Sequence, residues 1–149
     1  MIEIALFEPE IPQNTGTLIR LSACFGIKIN LIRPFGFIWD DRKLKRAGMD
    51  YIEKSDYEIF DSYSDFINYV SLSKRRIIKL IPRVGVSFTK FEFKEKDIIM
   101  GGRESDGFPE YVNNDNNLSV NIPCKERSMN LAVATAIVTS EALRQINAL

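Results

Sequence analysis

Three short runs hold most of the residues in this chain that could bind or react: "PQNTGTLIR" at 12–20, "GGRESDGFP" at 101–109 and "IPCKERSMN" at 122–130. In the first, Asn14 reads as a helix N-cap or as a binding group. Arg20 lies about one and a half turns further on, among Leu18, Ile19 and Leu21, so its guanidinium belongs at a polar boundary or cleft, or in an ion pair with Glu8 or Glu104. In the second run Gly101, Gly102 and Gly107 surround Glu104, and glycine lets a backbone approach a ligand closely. The spacing is neither G-x-G-x-x-G nor a Walker loop, and a turn before a helix at Pro109 accounts for it equally well. In the third, Ser128 is placed to cap the final helix, with Asn130 in its first turn.

The chain has no histidine and two cysteines, Cys24 and Cys124. That removes zinc fingers, histidine acid–base catalysis and Cys–His nucleophile pairs, and no metal is expected. The cysteines read as reduced core thiols. Twenty basic residues balance twenty acidic ones over 149 residues, so any polyanion site must be local. Arg42, Lys43, Lys45 and Arg46, with Arg33 nearby, are a candidate grip on the phosphates of a polyanion or a solvated helix face. Phe35, Phe37 and Trp39 either stack on an exposed base or pack inside the core or a dimer. No apolar run approaches the roughly 18 to 20 residues that span a bilayer, and "MIEIALFE" has no basic leader, so a cytoplasmic protein without membrane contact is expected.

These residues need a scaffold, and the apolar pattern supplies one. Runs at 2–7 and 27–32 bracket a helical pattern from about Asn14 or Thr15 to Phe25, closed by Gly26, which is a β-α-β unit. A short basic helix, "DRKLKRAG", should close at Gly48, and a third helix should span about 62–73. "RRIIKLI", "KDIIMG" and "LSVNIP" read as further strands, with "VSFTKFEF" a loop or short strand. The C-terminal stretch "SMNLAVATAIVTSEALRQINAL" is the longest helical pattern, with Leu131, Ala134, Val138 and Ala142 in one apolar line widened by Val133, Ala136 and Ile137. The expectation is a single 1–149 domain of α/β class, a mostly parallel sheet with helices on both faces. Each of the three reactive runs then follows a strand, where such sheets bind ligands.

Taken together, "EPEIPQNTGTLIRL", "RPFGFIWDDRKLKRAGMDY", "GRESDGFP" and "IPCKERSMNLAVA" resemble the SPOUT superfamily of knotted α/β RNA methyltransferases over essentially the whole chain. The similarity is greatest to the small single-domain TrmL type, which methylates the ribose 2'-oxygen of the tRNA wobble nucleotide. The resemblance implies a C-terminal trefoil knot, otherwise a rare exception, an S-adenosylmethionine site at the knot, a homodimer that completes the active site, and the tRNA anticodon stem-loop as substrate. Leu80, Gly102, Ile122 and Ser128 match its cofactor-contacting positions. Asn14, Arg20, Glu104 and Asn130 match polar positions around the reaction centre. The chain departs from the family at Arg103, where proline is common, at Asp106, where a basic residue is frequent, in "LIPRVG" for "LTTKG", and in "MNLAVA" for "MNLSNAV".

Methyl transfer to a ribose hydroxyl requires alignment of three atoms and loss of a proton. Arg20 is the expected helper, either assisting proton removal or stabilising the forming alkoxide. The alternatives are a 2'-O-methyltransferase of another tRNA position or of rRNA, a non-catalytic RNA-binding module of the same fold, and a flavodoxin-type nucleotide binder, which the missing phosphate loop disfavours.

Overall fold

The computed structural model describes residues 1–46, 51–114 and 118–149. In chain order the elements are β1 (Glu3–Phe7), α1 (Pro12–Phe25), β2 (Lys28–Ile32), α2 (Asp41–Arg46), β3 (Tyr57–Phe60), α3 (Tyr63–Ser73), β4 (Arg76–Leu80), β5 (Val86–Ser87), β6 (Asp97–Gly101), α4 (Glu110–Asn113), β7 (Leu118–Asn121) and α5 (Leu131–Gln145), with a 3-10 turn at Ile52–Lys54. The seven strands form one sheet in the order β3-β2-β1-β6-β4-β7-β5. All its ladders are parallel.

A parallel sheet is covered on both faces, which is why its strands read as continuous apolar runs. Ile4 and Leu6 of β1 face a core shared with Leu18 and Ile19 of α1 and Val138 and Ala142 of α5. Ala5 and Phe7, pointing the other way, join Phe66 and Val70 of α3 and Phe108 and Val112 around α4. Order reverses at β1, whose neighbours are β2 and β6, and ligands bind at such reversals, beyond the strand C-termini. On the far side β7 lies between β4 and β5, strands consecutive in the chain, an order that agrees with the threaded C-terminus of SPOUT folds. Gln145 ties α5 to the segment leading into β6: its Oε1 accepts from Phe93 N at 2.9 Å and its Nε2 donates to Phe91 O at 3.0 Å.

Several expectations need correction. α1 starts at Pro12 with Ile11 as N-cap, so Asn14 stands inside the first turn rather than at the cap. Asn130, not Ser128, caps α5, its Oδ1 accepting from Ala132 N at 2.9 Å and Val133 N at 3.2 Å. The buried face of α5 carries Ala132, Thr135, Val138, Thr139, Ala142 and Leu143, while Leu131 and Ala134 are half-buried and Val133 is 51% exposed. The inward line is therefore turned from the expected one, because α5 packs polar Thr135 and Thr139 beneath it. Cys24 is exposed and Cys124 half-buried; both are free, but neither is a core thiol. Strand β3 went unpredicted, "VSFTKFEF" supplies only the two-residue β5, and the expected close at Gly48 lies outside the described residues. The helix after Ser62 is as expected, with Ser62 Oγ accepting from Asp65 N at 3.1 Å.

Candidate active site

Beyond the C-termini of β1, β4, β6 and β7 lies a cavity of about 610 Å³, inside the range of small-molecule sites. Leu80 and Ile81 wall it from β4, Gly102 to Phe108 from β6, Asn121 and Ile122 from β7, Ile11 and Asn14 from the α1 start, and Ser128 to Leu131 from the α5 start. All four expected cofactor-binding residues, Leu80, Gly102, Ile122 and Ser128, line it, as do Asn14, Glu104 and Asn130. Arg20 does not line it.

Glu104 organises the wall. Its Oε2 accepts from Glu10 N at 2.8 Å, and its Oε1 accepts from Ile11 N at 3.2 Å and Asn14 Nδ2 at 3.3 Å. Ile11 offers no capping side chain, so a carboxylate from 93 residues away places negative charge at the N-terminus of α1, where the helix dipole favours it. Asn14 Oδ1 then accepts from Asn130 Nδ2 at 3.0 Å, and Asn130 caps α5. One hydrogen-bonded chain thus runs from the loop after β6, through α1, to α5. Asn14 is 8% exposed, and its amide uses both ends on this chain.

The loop after β6 is closed upon itself. Arg103 and Gly107 exchange two backbone hydrogen bonds of 3.0 Å, and Gly107 takes φ +71°, which disfavours a side chain there. A Cβ on Gly102 would stand 2.8 Å from Gly107 C, so glycine at 102 is required by this turn rather than by a ligand. Glu10 clasps the turn from outside, accepting from Ser105 N at 3.0 Å and Ser105 Oγ at 2.7 Å. The two departures at Arg103 and Asp106 are bonded to each other, Arg103 Nε lying 2.8 Å from Asp106 Oδ1, and Arg103 Nη1 also meets Glu8 Oε2 at 3.1 Å. The anion at 106 is thus balanced within its own loop. Tyr111 stands beside this group, its phenol pushed above the usual value by desolvation first and by Glu8 second, against the lowering effect of Arg103.

Sequence reasoning missed Lys79, 2% exposed on central β4, whose Nζ donates to Val112 O at 2.9 Å and Asn113 O at 3.2 Å. It holds the last carbonyls of α4, and so the Phe108–Asn113 side of the cavity. Its signal was a lysine inside the apolar run "RRIIKLI", where a charge needs a dedicated partner.

Arg20 is exposed on α1 and pairs with neither Glu8 nor Glu104; its guanidinium carbon sits 4.8 Å from the centre of the Tyr51 ring. Arg42 is exposed on α2, while the side chains of Lys43, Lys45 and Arg46 lie outside the described part of the chain. Phe35 stacks on Phe37 at 5.5 Å and meets Trp39 at 5.7 Å, and Phe35 and Trp39 pack against the core, which answers their either-or reading in favour of packing. Arg33 is engaged with Asp61 at 2.7 Å. No helix among the described residues is long and apolar enough to cross a membrane, and none of their His, Cys, Asp or Glu cluster as a metal site.

Residues 1–140 match the SpoU rRNA Methylase family. The chain is 42% identical over 148 residues to a tRNA (cytidine(34)-2'-O)-methyltransferase of Beijerinckia indica, covering 98% of this chain and 92% of that one. A solved structure bearing on the 2-OH methylation of C/U34 on tRNA is 38% identical, covers 97% of this chain and 95% of its own, and superposes with a TM-score of 0.90. An AdoMet-bound rRNA methyltransferase from Sinorhizobium meliloti, 26% identical, superposes with a TM-score of 0.81 over 96% of this chain and 56% of its own.

Proposed function

We propose, for a chain that belongs to the SpoU rRNA Methylase family, that the cavity at the four strand ends serves methylation of the ribose 2'-hydroxyl of the wobble nucleotide, cytidine 34, of tRNA. The chain is an S-adenosylmethionine-dependent enzyme. The observation that carries the reading is the convergence of Leu80 at the end of β4, Gly102 in the loop after β6, and Ile122 and Ser128 in the connection from β7 to α5, on one cavity. The relatives narrow the substrate to tRNA.

The cavity residues fit the cofactor. Leu80, Ile122 and Leu131 offer apolar walls for a flat base, and polar Asn14, Ser128 and Asn130 stand beside them for a sugar and an amino-acid tail. When bound, the cofactor supplies a methyl group on a positively charged sulfur. Glu104, Asn14 and Asn130 set the walls by holding the starts of α1 and α5 to the loop after β6. Arg20 orients the 2'-hydroxyl and stabilises the oxygen electrostatically as its proton passes to solvent.

Arg20 does not line the cavity of its own chain, so it serves the cavity of a second copy, and the enzyme works as a homodimer. Ile11 (41% exposed), Met129 (40%) and Val133 (51%), near the starts of α1 and α5, support this as apolar surface beside the site. The C-terminus is threaded as a trefoil knot. Arg42, Lys43, Lys45 and Arg46 grip the anticodon stem-loop, in a cytoplasmic enzyme that requires no metal.

Incubation with methyl-labelled S-adenosylmethionine and an unmodified tRNA transcript carrying cytidine at position 34 tests the reading. Label is expected on that ribose alone. Label elsewhere on the tRNA, or only on rRNA, overturns it.

A further inference from the structure

The guanidinium of Arg20 lies over the face of Tyr51, 4.8 Å from the ring centre, and has no ion-pair partner among the described residues. Tyr51 is half-buried, immediately before the 3-10 turn Ile52–Lys54, and Ile52, 5% exposed, anchors that turn in the core. The turn is tightened by Lys54 N donating to Tyr51 O at 3.0 Å and Ser55 Oγ donating to Ile52 O at 3.0 Å. The ring therefore sits on a fixed support, next to a helix that carries an exposed arginine.

The kind of contact matters. A carboxylate would restrain Arg20 by occupying its N–H donors and cancelling its charge. An aromatic face restrains it through the flat side of the guanidinium, leaving the in-plane donors free and the charge intact. We propose that Tyr51 is a positioning residue for methyl transfer, holding the Arg20 guanidinium oriented and unneutralised for the reaction centre. This rests on the role given to Arg20 above. A free arginine side chain samples many rotamers, and the ring removes most of that search before the substrate arrives.

The test compares Tyr51→Leu, Tyr51→Phe and a trifluorinated phenylalanine at 51, which keeps the ring's shape but drains its negative face. Turnover on tRNA is read alongside S-adenosylmethionine affinity. Tyr51→Leu is expected to lower kcat about fivefold, the value of one exposed cation–π contact, with KM for tRNA and cofactor Kd unchanged. Tyr51→Phe should keep wild-type kcat, and the fluorinated ring should fall as the leucine does. Full kcat in the fluorinated protein overturns the inference even if the leucine variant misfolds. So does a loss in Tyr51→Phe equal to that in Tyr51→Leu, or a rise in KM for tRNA with kcat unchanged. An Arg20→Ala protein with full turnover would instead remove the role of Arg20 itself. Inactive Arg20→Ala beside fully active Tyr51→Leu overturns only the positioning.

Discussion

Asn130 Nδ2 donates to Asn14 Oδ1 across 3.0 Å, joining residues 116 apart in sequence. The same Asn130 caps α5 through its oxygen, and the same Asn14 reaches Glu104 through its nitrogen. Two amides therefore tie the starts of two helices to one carboxylate, and link the cavity walls they carry.

Asn130→Ala removes the α5 cap and leaves Asn14 Oδ1 unpaired, an expected loss of about 2 to 3 kcal/mol in urea unfolding. Asn130→Asp keeps a capping oxygen and replaces the donor to Asn14 with a second acceptor that faces Asn14 Oδ1. It should retain stability to within about 1 kcal/mol while S-adenosylmethionine affinity, read by calorimetry, falls. Equal stability losses in the two variants would mean the link, not the cap, dominates.

Glu104→Gln replaces two carboxylate oxygens that accept three N–H groups with one oxygen and an amide that faces a donor. An expected cost of about 1 to 3 kcal/mol should come with faster amide exchange at Glu10 and Ile11, measured by hydrogen exchange.

Arg103 and Asp106 should be coupled. Arg103→Ala is expected to cost about 1 to 2 kcal/mol, since half-buried Glu8 also loses its cation, whereas Asp106→Ala costs under about 1 kcal/mol. The loss in Arg103→Ala/Asp106→Ala should fall short of the sum of the two single losses by about 0.5 kcal/mol or more in a double-mutant cycle. Strict additivity would leave the pairing without energetic content.

At the other end of α5, the Arg144 hydrogen bonds first, and the Gln145 amide second, hold the Glu141 carboxyl down at about 2, below its ordinary value of 4.5. A depressed carboxyl stabilises the folded chain at neutral pH, and that contribution is lost as pH falls from about 4.5 toward about 2. Glu141→Gln should flatten this part of the stability profile, followed as urea midpoints across the acid range. A variant as acid-sensitive there as the parent would place the titration elsewhere.

The central strands were legible because both faces of the sheet are covered, so β1, β2, β4 and β6 read as mostly apolar runs. Tyr57–Phe60 escaped notice as an edge strand with three of its four residues only half-buried. The start of α1 was misplaced because its polar partner is not local: Glu104 does the work a neighbouring serine or aspartate does elsewhere. The inward side of α5 was misjudged because Thr135 and Thr139 are fully buried there, against the apolar count. The cavity residues were found by resemblance and loop position. Which of them bond to one another, and that Arg20 stands apart on Tyr51, emerged only in three dimensions.

The slot of β7 between β4 and β5 has a consequence for biogenesis. Synthesis delivers the chain from its N-terminus, so β1, β2, β3, β4 and β6 emerge while that slot stands vacant. Ile122, Ser128 and Asn130 follow the strand that fills it, so no nascent chain that stops short of them can own a complete cavity. Competence to bind ligand therefore waits, in this topology, on the chain that follows β7.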